Sequence, residues 1–358
     1  MNKAPYLLLI VAGIIVSSCS QKESDAVCEI KVSGYHEIIV SSPSEIYGKE
    51  PLYIKLQNQD SEDFAFGGIK TIRIRNSHIY ILDNKQKKIC VFRMDGSNVS
   101  VLDYMGRGPQ EYLTITDFDV DKQNNVWIVD GQKDMIFKYS PDFELVGSTA
   151  FPFDIAQIHC IDDGSFIVKL SAWDQSKYAG AALLKLDSKF FPEIQILDYP
   201  ENRDSNIEFE SSLSTYSEGI FFNDQLDPYL YHITDAGDID SVYHFDFGSR
   251  TVQEEYKNDI ESYLDKLNDC SFLFRNYRVT ADFITCGLRS KEWYGAILDR
   301  VNQTITYFEH NTSGFILAGQ CFSGPVWQIT SAVRKDSVPV DVFEWLESGG
   351  DVLAVFQD

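Results

Sequence analysis

Short alternating runs of apolar and polar residues fill the chain from residue 69 to residue 356, and clusters of polar turn residues separate them. A period of two predicts β-strands, because successive side chains on a strand point to opposite faces. Ile69-Lys-Thr-Ile-Arg-Ile-Arg75 is the first clear strand and is expected to gather three isoleucines on one face. Strands follow at 78–83, 88–93 and 99–104, and again at 115–120, 125–130, 135–140 and 144–148. The two groups are copies of each other. Ile79-Tyr-Ile-Leu-Asp83 aligns with Val126-Trp-Ile-Val-Asp130 at a shift of 47 residues. Residues 89–92 then fall on 136–139, Asp95 on Asp142 and Val99 on Val146. A four-stranded unit repeating at this period reads as one blade of a propeller, whose faces are buried only against neighbouring blades.

Later copies diverge more. A third is visible at 163–170, 181–186 and 194–197, a fourth at 219–222, 229–233 and 241–247, and a fifth at 283–286, 293–298 and 304–308. The sixth is expected to be composite. Residues 29–56 would supply a strand to C-terminal strands from 313–356, leaving no free sheet edge between first and last blades. The expected fold is therefore all-β, a six-bladed β-propeller over residues 29–358, with seven blades as the alternative. One stretch breaks the rhythm. Val252, Tyr256, Ile260, Tyr263, Leu264 and Leu267 recur every three or four residues, which predicts an inserted amphipathic helix over about 251–268. Thr251 and Glu254 are spaced as a capping box at its start. The insertion is read as a lid over the central channel or as a helix packed on a blade's flank. A shorter helix is expected over 338–346.

The N-terminus is of another kind. Lys3 precedes an apolar run from Tyr6 to Val16, 11 residues long and too short to span a bilayer, which needs about 20. It reads as a secretory signal, residues 1–18. Val16-Ser-Ser-Cys19 then resembles the lipobox of bacterial lipoproteins, which implies cleavage before Cys19 and acylation of that residue. Residues 19–28 form a polar tether, and membrane attachment is expected through lipid alone. The acidic residues just after Cys19 resemble the export tag of surface lipoproteins in Bacteroides-type bacteria, which places the protein at the cell envelope as an outer-membrane lipoprotein, with display at the surface favoured. Cys28, Cys90, Cys160, Cys270, Cys286 and Cys321 remain, and sequence does not choose among their pairings. Cys90, Cys160 and Cys286 sit in apolar runs and read as small core residues.

With 54 acidic residues against 31 basic, the formal charge of −23 repels phosphate backbones, and no basic cluster offsets it. Nucleic-acid binding is excluded on that ground. A monomer is expected.

Between the two clear repeats stands Gly106-Arg-Gly-Pro-Gln-Glu-Tyr112. With Asp83 before it and Asp117-Phe-Asp-Val-Asp121 after it, this resembles the six-bladed β-propeller lipoproteins of Bacteroides-type bacteria, relatives of NHL-repeat propellers. Gln110 stands where that pattern has a glycine. The glycines are expected to supply left-handed backbone angles and Pro109 to fix φ, holding the crossover between blades in one shape. Crossovers lie on the face that usually binds ligands, so Arg107, Glu111 and Tyr112 are candidate ligand-face residues. The alternative is that Glu111 and Tyr112 brace adjacent blades. Trp173 and Trp293, in less regular stretches, are further candidates for stacking on a ligand.

Catalytic motifs are wanting. Asp117-x-Asp-x-Asp121 starts like an EF-hand loop, but Lys122 replaces the required glycine and Ile128 the bidentate glutamate. The six histidines are scattered, and neither a nucleophile elbow nor a phosphate-binding glycine loop is present. No metal ligand or catalytic residue is singled out, and any cofactor is unknown. The sequence favours a lipid-anchored, non-catalytic propeller that binds a glycan, peptide or envelope protein. The alternative is an extracellular hydrolase or lyase acting on polysaccharide or a lactone-like molecule.

Overall fold

The computed structural model describes residues 27–31, 37–38, 42–59, 61–207, 213–216, 219–279, 282–289, 293–302, 304–309, 314–321 and 324–356. The expected signal sequence, Cys19 and the expected tether up to residue 26 lie outside them.

Three N-terminal strands, β1 (Val27–Lys31), β2 (Glu37–Ile38) and β3 (Leu52–Lys55), precede the first blade. Blade I is β4 (Ile69–Arg75), β5 (His78–Asp83), β6 (Lys88–Arg93) and β7 (Asn98–Leu102). Blade II is β8 (Asp117–Val120), β9 (Val126–Asp130), β10 (Met135–Tyr139) and β11 (Leu145–Ala150). Blade III is β12 (Ile155–Cys160), β13 (Phe166–Leu170), β14 (Ala181–Leu186) and β15 (Pro192–Asp198). Blade IV is β16 (Leu213–Tyr216), β17 (Gly219–Phe222), β18 (Tyr229–Thr234) and β19 (Ile239–Asp246). Blade V is β20 (Phe272–Val279), β21 (Phe283–Arg289), β22 (Trp293–Asp299) and β23 (Thr304–Glu309). The sixth blade is composite: β24 (Phe315–Cys321), β25 (Gly324–Ile329) and β26 (Val352–Val355) are completed by β3, antiparallel to β26 with Leu52 opposite Val355. The ring has six blades.

Packing explains why some strands were easier to read than others. Middle strands such as β5 and β13 are buried on both faces, whereas the outer β11 is exposed along most of its length. The inner strands β12, β16 and β20 escaped the sequence reading. Their runs, such as Ile-Ala-Gln-Ile-His-Cys and Leu-Ser-Thr-Tyr, mix polar with apolar residues and carry no clean alternation. In β4 the spacing of Ile69 to Ile72 is odd for a strand. A register shift between Ile69 and Thr71 absorbs the extra residue, and Ile69 packs with Ile72 and Ile74 in one core cluster.

Two further pairings bind the ring. At the axis β24 runs parallel to β4, with Gly319 opposite Ile72 and Cys321 opposite Ile74, so blades VI and I form one eight-stranded sheet. On the rim β1 adds in parallel to β19 and β2 to β23, which covers the outer edges of blades IV and V. Ile30 secures β1, buried with Phe221, Leu230 and Phe245.

Strand direction alternates within each blade. Crossovers and second turns therefore open at one end of the ring, here termed the crossover face, and first and third turns at the other. The helical insertion lies on the crossover face between blades IV and V, but as two short helices, α2 (Glu254–Lys257) and α3 (Leu264–Leu267), rather than one continuous helix. Asp204, from the preceding crossover, is the reason: its amide donates to the Lys257 carbonyl at 2.7 Å and its carboxylate accepts the Ile260 amide at 3.2 Å. Both are groups a continuous helix would pair internally. Gln253, not Thr251, is the N-cap, and it makes no side-chain cap. Val252, Ile260 and Leu267 are buried against Leu226 and Phe272, while Leu264 is exposed. The insertion thus packs against the second turn of blade IV and the start of blade V. The second expected helix forms at α4 (Val340–Glu347), in the second turn of blade VI, and buries Val342 and Leu346.

Candidate functional site

The crossover from blade I to blade II is braced from within. Tyr112 is fully buried. Its hydroxyl shares its one proton between the carbonyls of Lys87 (2.8 Å) and, at longer range, Leu102 (3.3 Å), and accepts the Tyr104 amide. The Glu111 carboxylate turns back to accept the Gly108 amide at 2.7 Å. A Cβ on Gly106 would stand 2.0 Å from a Glu111 oxygen. Contrary to expectation, neither Gly106 nor Gly108 has a positive φ. They are glycines because the carboxylate lies against them. From blade II, Lys133 donates to the carbonyls of Gly108 and Glu111, and the Tyr139 hydroxyl to that of Gln110.

A second device recurs at the same end. Asp83 and Asp130, equivalent in the repeat, each accept amides of their own second turn and one from the incoming crossover, at Gly67 and Leu113. Asp174 does the same in blade III, taking the Asp154 and Ser176 amides. In blade IV, Asp224 pairs with Arg203 at 3.0 Å, both buried. Crossovers are therefore held to rigid blade ends.

On that frame the crossover face exposes large aromatic and apolar side chains among its polar turn residues. Tyr104 is 46% exposed, Met105 54% and Trp173 47%, and Arg107 is exposed beside them in sequence. Tyr104 stacks on Tyr139, with centroids 5.8 Å apart. All belong to blades I to III, whereas the helical insertion and α4 occupy the same face at blades IV to VI. Of the sequence candidates, Arg107 and Trp173 reach solvent on one face, Glu111 is half-buried and Tyr112 is a brace. Trp293 opens β22 opposite Arg289, but its side chain lies outside the described residues. Tyr104 and Met105 were missed because they directly follow an apolar strand.

Nearer the axis an ionic network joins three inner strands. Asp117 and Asp119 accept the β12 amides of Ile158 (3.0 Å) and Cys160 (2.8 Å). Arg73 of blade I stands 3.6 and 3.7 Å from them, and His159 3.3 Å from Asp119. Burial alone would raise Asp119 and lower His159. Their mutual contact, with Arg73 beside Asp119 and Asp235 beside His159, outweighs it, so the carboxyl is held low and the imidazole high. The Asp117-x-Asp119 spacing is the sequence signal for this clamp: alternate residues share a face. Among the described residues no three His, Cys, Asp or Glu side chains are grouped to hold a metal.

Two other places carry chemistry. Burial pushes the Asp227 carboxyl up to about 7; Lys257 and His244 oppose that rise, and Asp224 and Glu254 add to it. On the opposite face a cleft of about 260 Å³ between blades II and III is lined by Asp121, Trp127, Lys138, Asp162, Asp163 and Ser188. Its tryptophan offers no open face. The Lys138 ammonium stands 4.6 Å over the ring and the indole N–H is donated to Asp121.

Residues 42–327 match the model of a domain of unknown function, DUF4934. The chain belongs to the DUF4934 family. Among solved structures it is similar over 93% of its length to the whole of a Bacteroides fragilis protein provisionally named as exported, at 18% identity and a TM-score of 0.71. A DUF4221 family member from Bacteroides vulgatus matches 86% of the chain with 96% of its own, at 10% identity and a TM-score of 0.56. At these identities the likeness concerns the fold. A comparison with curated proteins gave no match. The resemblance to Bacteroides six-bladed propellers drawn from the motif holds at the level of the family and its architecture. Among the described residues, no helix is long and apolar enough to cross a membrane.

Proposed function

We propose that this DUF4934 chain is a lipid-anchored cell-envelope propeller that binds a protein or peptide partner on the crossover face of blades I to III. The exposed set of Tyr104, Met105, Arg107 and Trp173 carries the reading. Tyr, Trp, Met and Arg are the residue types enriched in interface cores, and aromatic anchors on a rigid support lose little entropy on binding. Export is supported by the apolar leader ending in Val-Ser-Ser-Cys19 and by the similarity in fold to a protein provisionally named as exported. The cleft on the other face is the weaker site, since its aromatic ring and its charges already have partners.

Two experiments test this. Incorporation of labelled palmitate in the native bacterium should be abolished by Cys19→Ser. Peptides selected from a displayed library against the wild-type chain should lose at least about tenfold in affinity to a Tyr104→Ala/Trp173→Ala variant, the scale of two interface anchors. Selected peptides indifferent to that variant but sensitive to Lys138→Ala would move the site to the cleft. One observation favours catalysis instead: Asp227, near neutral in pKa, hydrogen-bonds to Tyr231 beside Lys257. Turnover of a lactone or polysaccharide that vanished in Asp227→Asn would establish that alternative.

A further inference from the structure

We infer that the lipid anchor holds the ring with its crossover face turned away from the membrane and the opposite end of blade IV nearest to it. The inference rests on the acylation of Cys19 proposed above, and its structural basis is the direction of one strand. β19 runs from the third turn of blade IV towards the crossover face, and β1 lies parallel to it, Val27 opposite Val242 and Lys31 opposite Asp246. The N-terminal chain therefore meets the ring at the end away from the crossovers. It is fixed there by a parallel ladder and by Ile30, which is 1% exposed.

Only seven residues lie between Cys19 and Val27, eight Cα-to-Cα steps in all. Covalent geometry limits that span to about 28 Å. With the crossover face down, the tether would have to run back along β1 for about 13 Å, the rise of four strand residues. It would then have to clear the insertion, at least one helix diameter of about 10 Å. Nearly the whole reach would be consumed. With the other end down, nothing must be cleared. The first and third turns of blades I to III, at that end, carry seven carboxylates (Asp95, Asp121, Asp142, Glu144, Asp162, Asp163 and Asp187) against Lys122 and Lys189. Such a surface is repelled by anionic headgroups, so the ring stands off the bilayer rather than lying on it. Tyr104, Met105 and Trp173 accordingly face the medium, and their partner is a molecule approaching from outside the membrane.

The test uses the full-length lipidated chain in vesicles of phosphatidylethanolamine and phosphatidylglycerol that carry a headgroup energy acceptor. Gln110 on the crossover face and Asp238 in the third turn of blade IV are replaced, one at a time, by a bioorthogonal amino acid bearing the donor. Transfer from position 238 should exceed that from position 110 at least twofold. A Gly-Ser insertion of about 24 residues between Ser24 and Asp25 should bring the ratio close to one, because the lengthened tether clears the ring. A ratio of one or less at native tether length overturns the orientation alone. Failure of the chain to float with the vesicles overturns the anchoring reading and the orientation with it.

Discussion

At the scale of the residue, several side chains are held in states they would not choose in water. Asp227 is protonated in the folded chain up to about pH 7, whereas the unfolded carboxyl ionises near its ordinary 3.8. The folded state therefore binds the extra proton between those values, and stability falls as pH rises across the window. Above about pH 7 the penalty is complete. Asp227→Asn removes it and is expected to raise unfolding stability by on the order of 1–3 kcal/mol at about pH 8 while changing little near pH 4, as read by denaturant titration at both. Tyr112→Phe deletes a buried hydroxyl with three backbone partners and should cost roughly 1–3 kcal/mol in the same assay. Gly106→Ala drives a methyl into the Glu111 carboxylate. If that contact is the reason for the glycine, the loss should be largely relieved in a Gly106→Ala/Glu111→Ala double variant, whose non-additivity a mutant cycle measures.

At the scale of the element, the charged residues of the inner strands act between blades rather than within them. Asp119→Asn removes the nearer of two carboxylates beside His159 and one of the two facing Arg73, leaving Asp235 and Asp117, which should cost roughly 1–3 kcal/mol, detected as a lowered denaturation midpoint with the m-value kept. Elements were unevenly legible in the sequence. The strands of blades I and II were clear because one face of each packs a continuous apolar layer and the repeated Asp residues do the same turn-capping work in both copies. β12 and β16 were opaque because residues near the axis join neighbouring strands through polar groups, which erases the alternation. The helix over 251–268 had a sound apolar period, yet Asp204, distant in sequence, competes for its backbone groups and divides it. Of the candidate site, Arg107 and Trp173 could be named because a glycine-rich motif and irregular sequence flag loops. Tyr104 and Met105 could not, because exposure at the end of a strand leaves no mark in periodicity.

At the scale of the whole molecule, the ring is held shut in two places, by β3 on the rim of blade VI and by β24 against β4 at the axis. Deletion of residues 27–56 is expected to leave blades VI, IV and V with open edges and to replace a single cooperative unfolding transition with a broad one, accompanied by association of the exposed edges. Calorimetry with light scattering on the truncated chain would show it. A sharp single transition in the truncated protein would mean that the axial pairing suffices for closure.

The same closure sets an order of events for the growing chain. Leu52 pairs with Val355, so the strand that completes the last blade is made early and must wait, unpartnered, for nearly the entire remaining polypeptide. Contacts so distant in sequence cannot form until synthesis is almost over, and they make for slow folding. On the export proposed above, late completion of the ring keeps the chain pliable for as long as passage through a membrane requires.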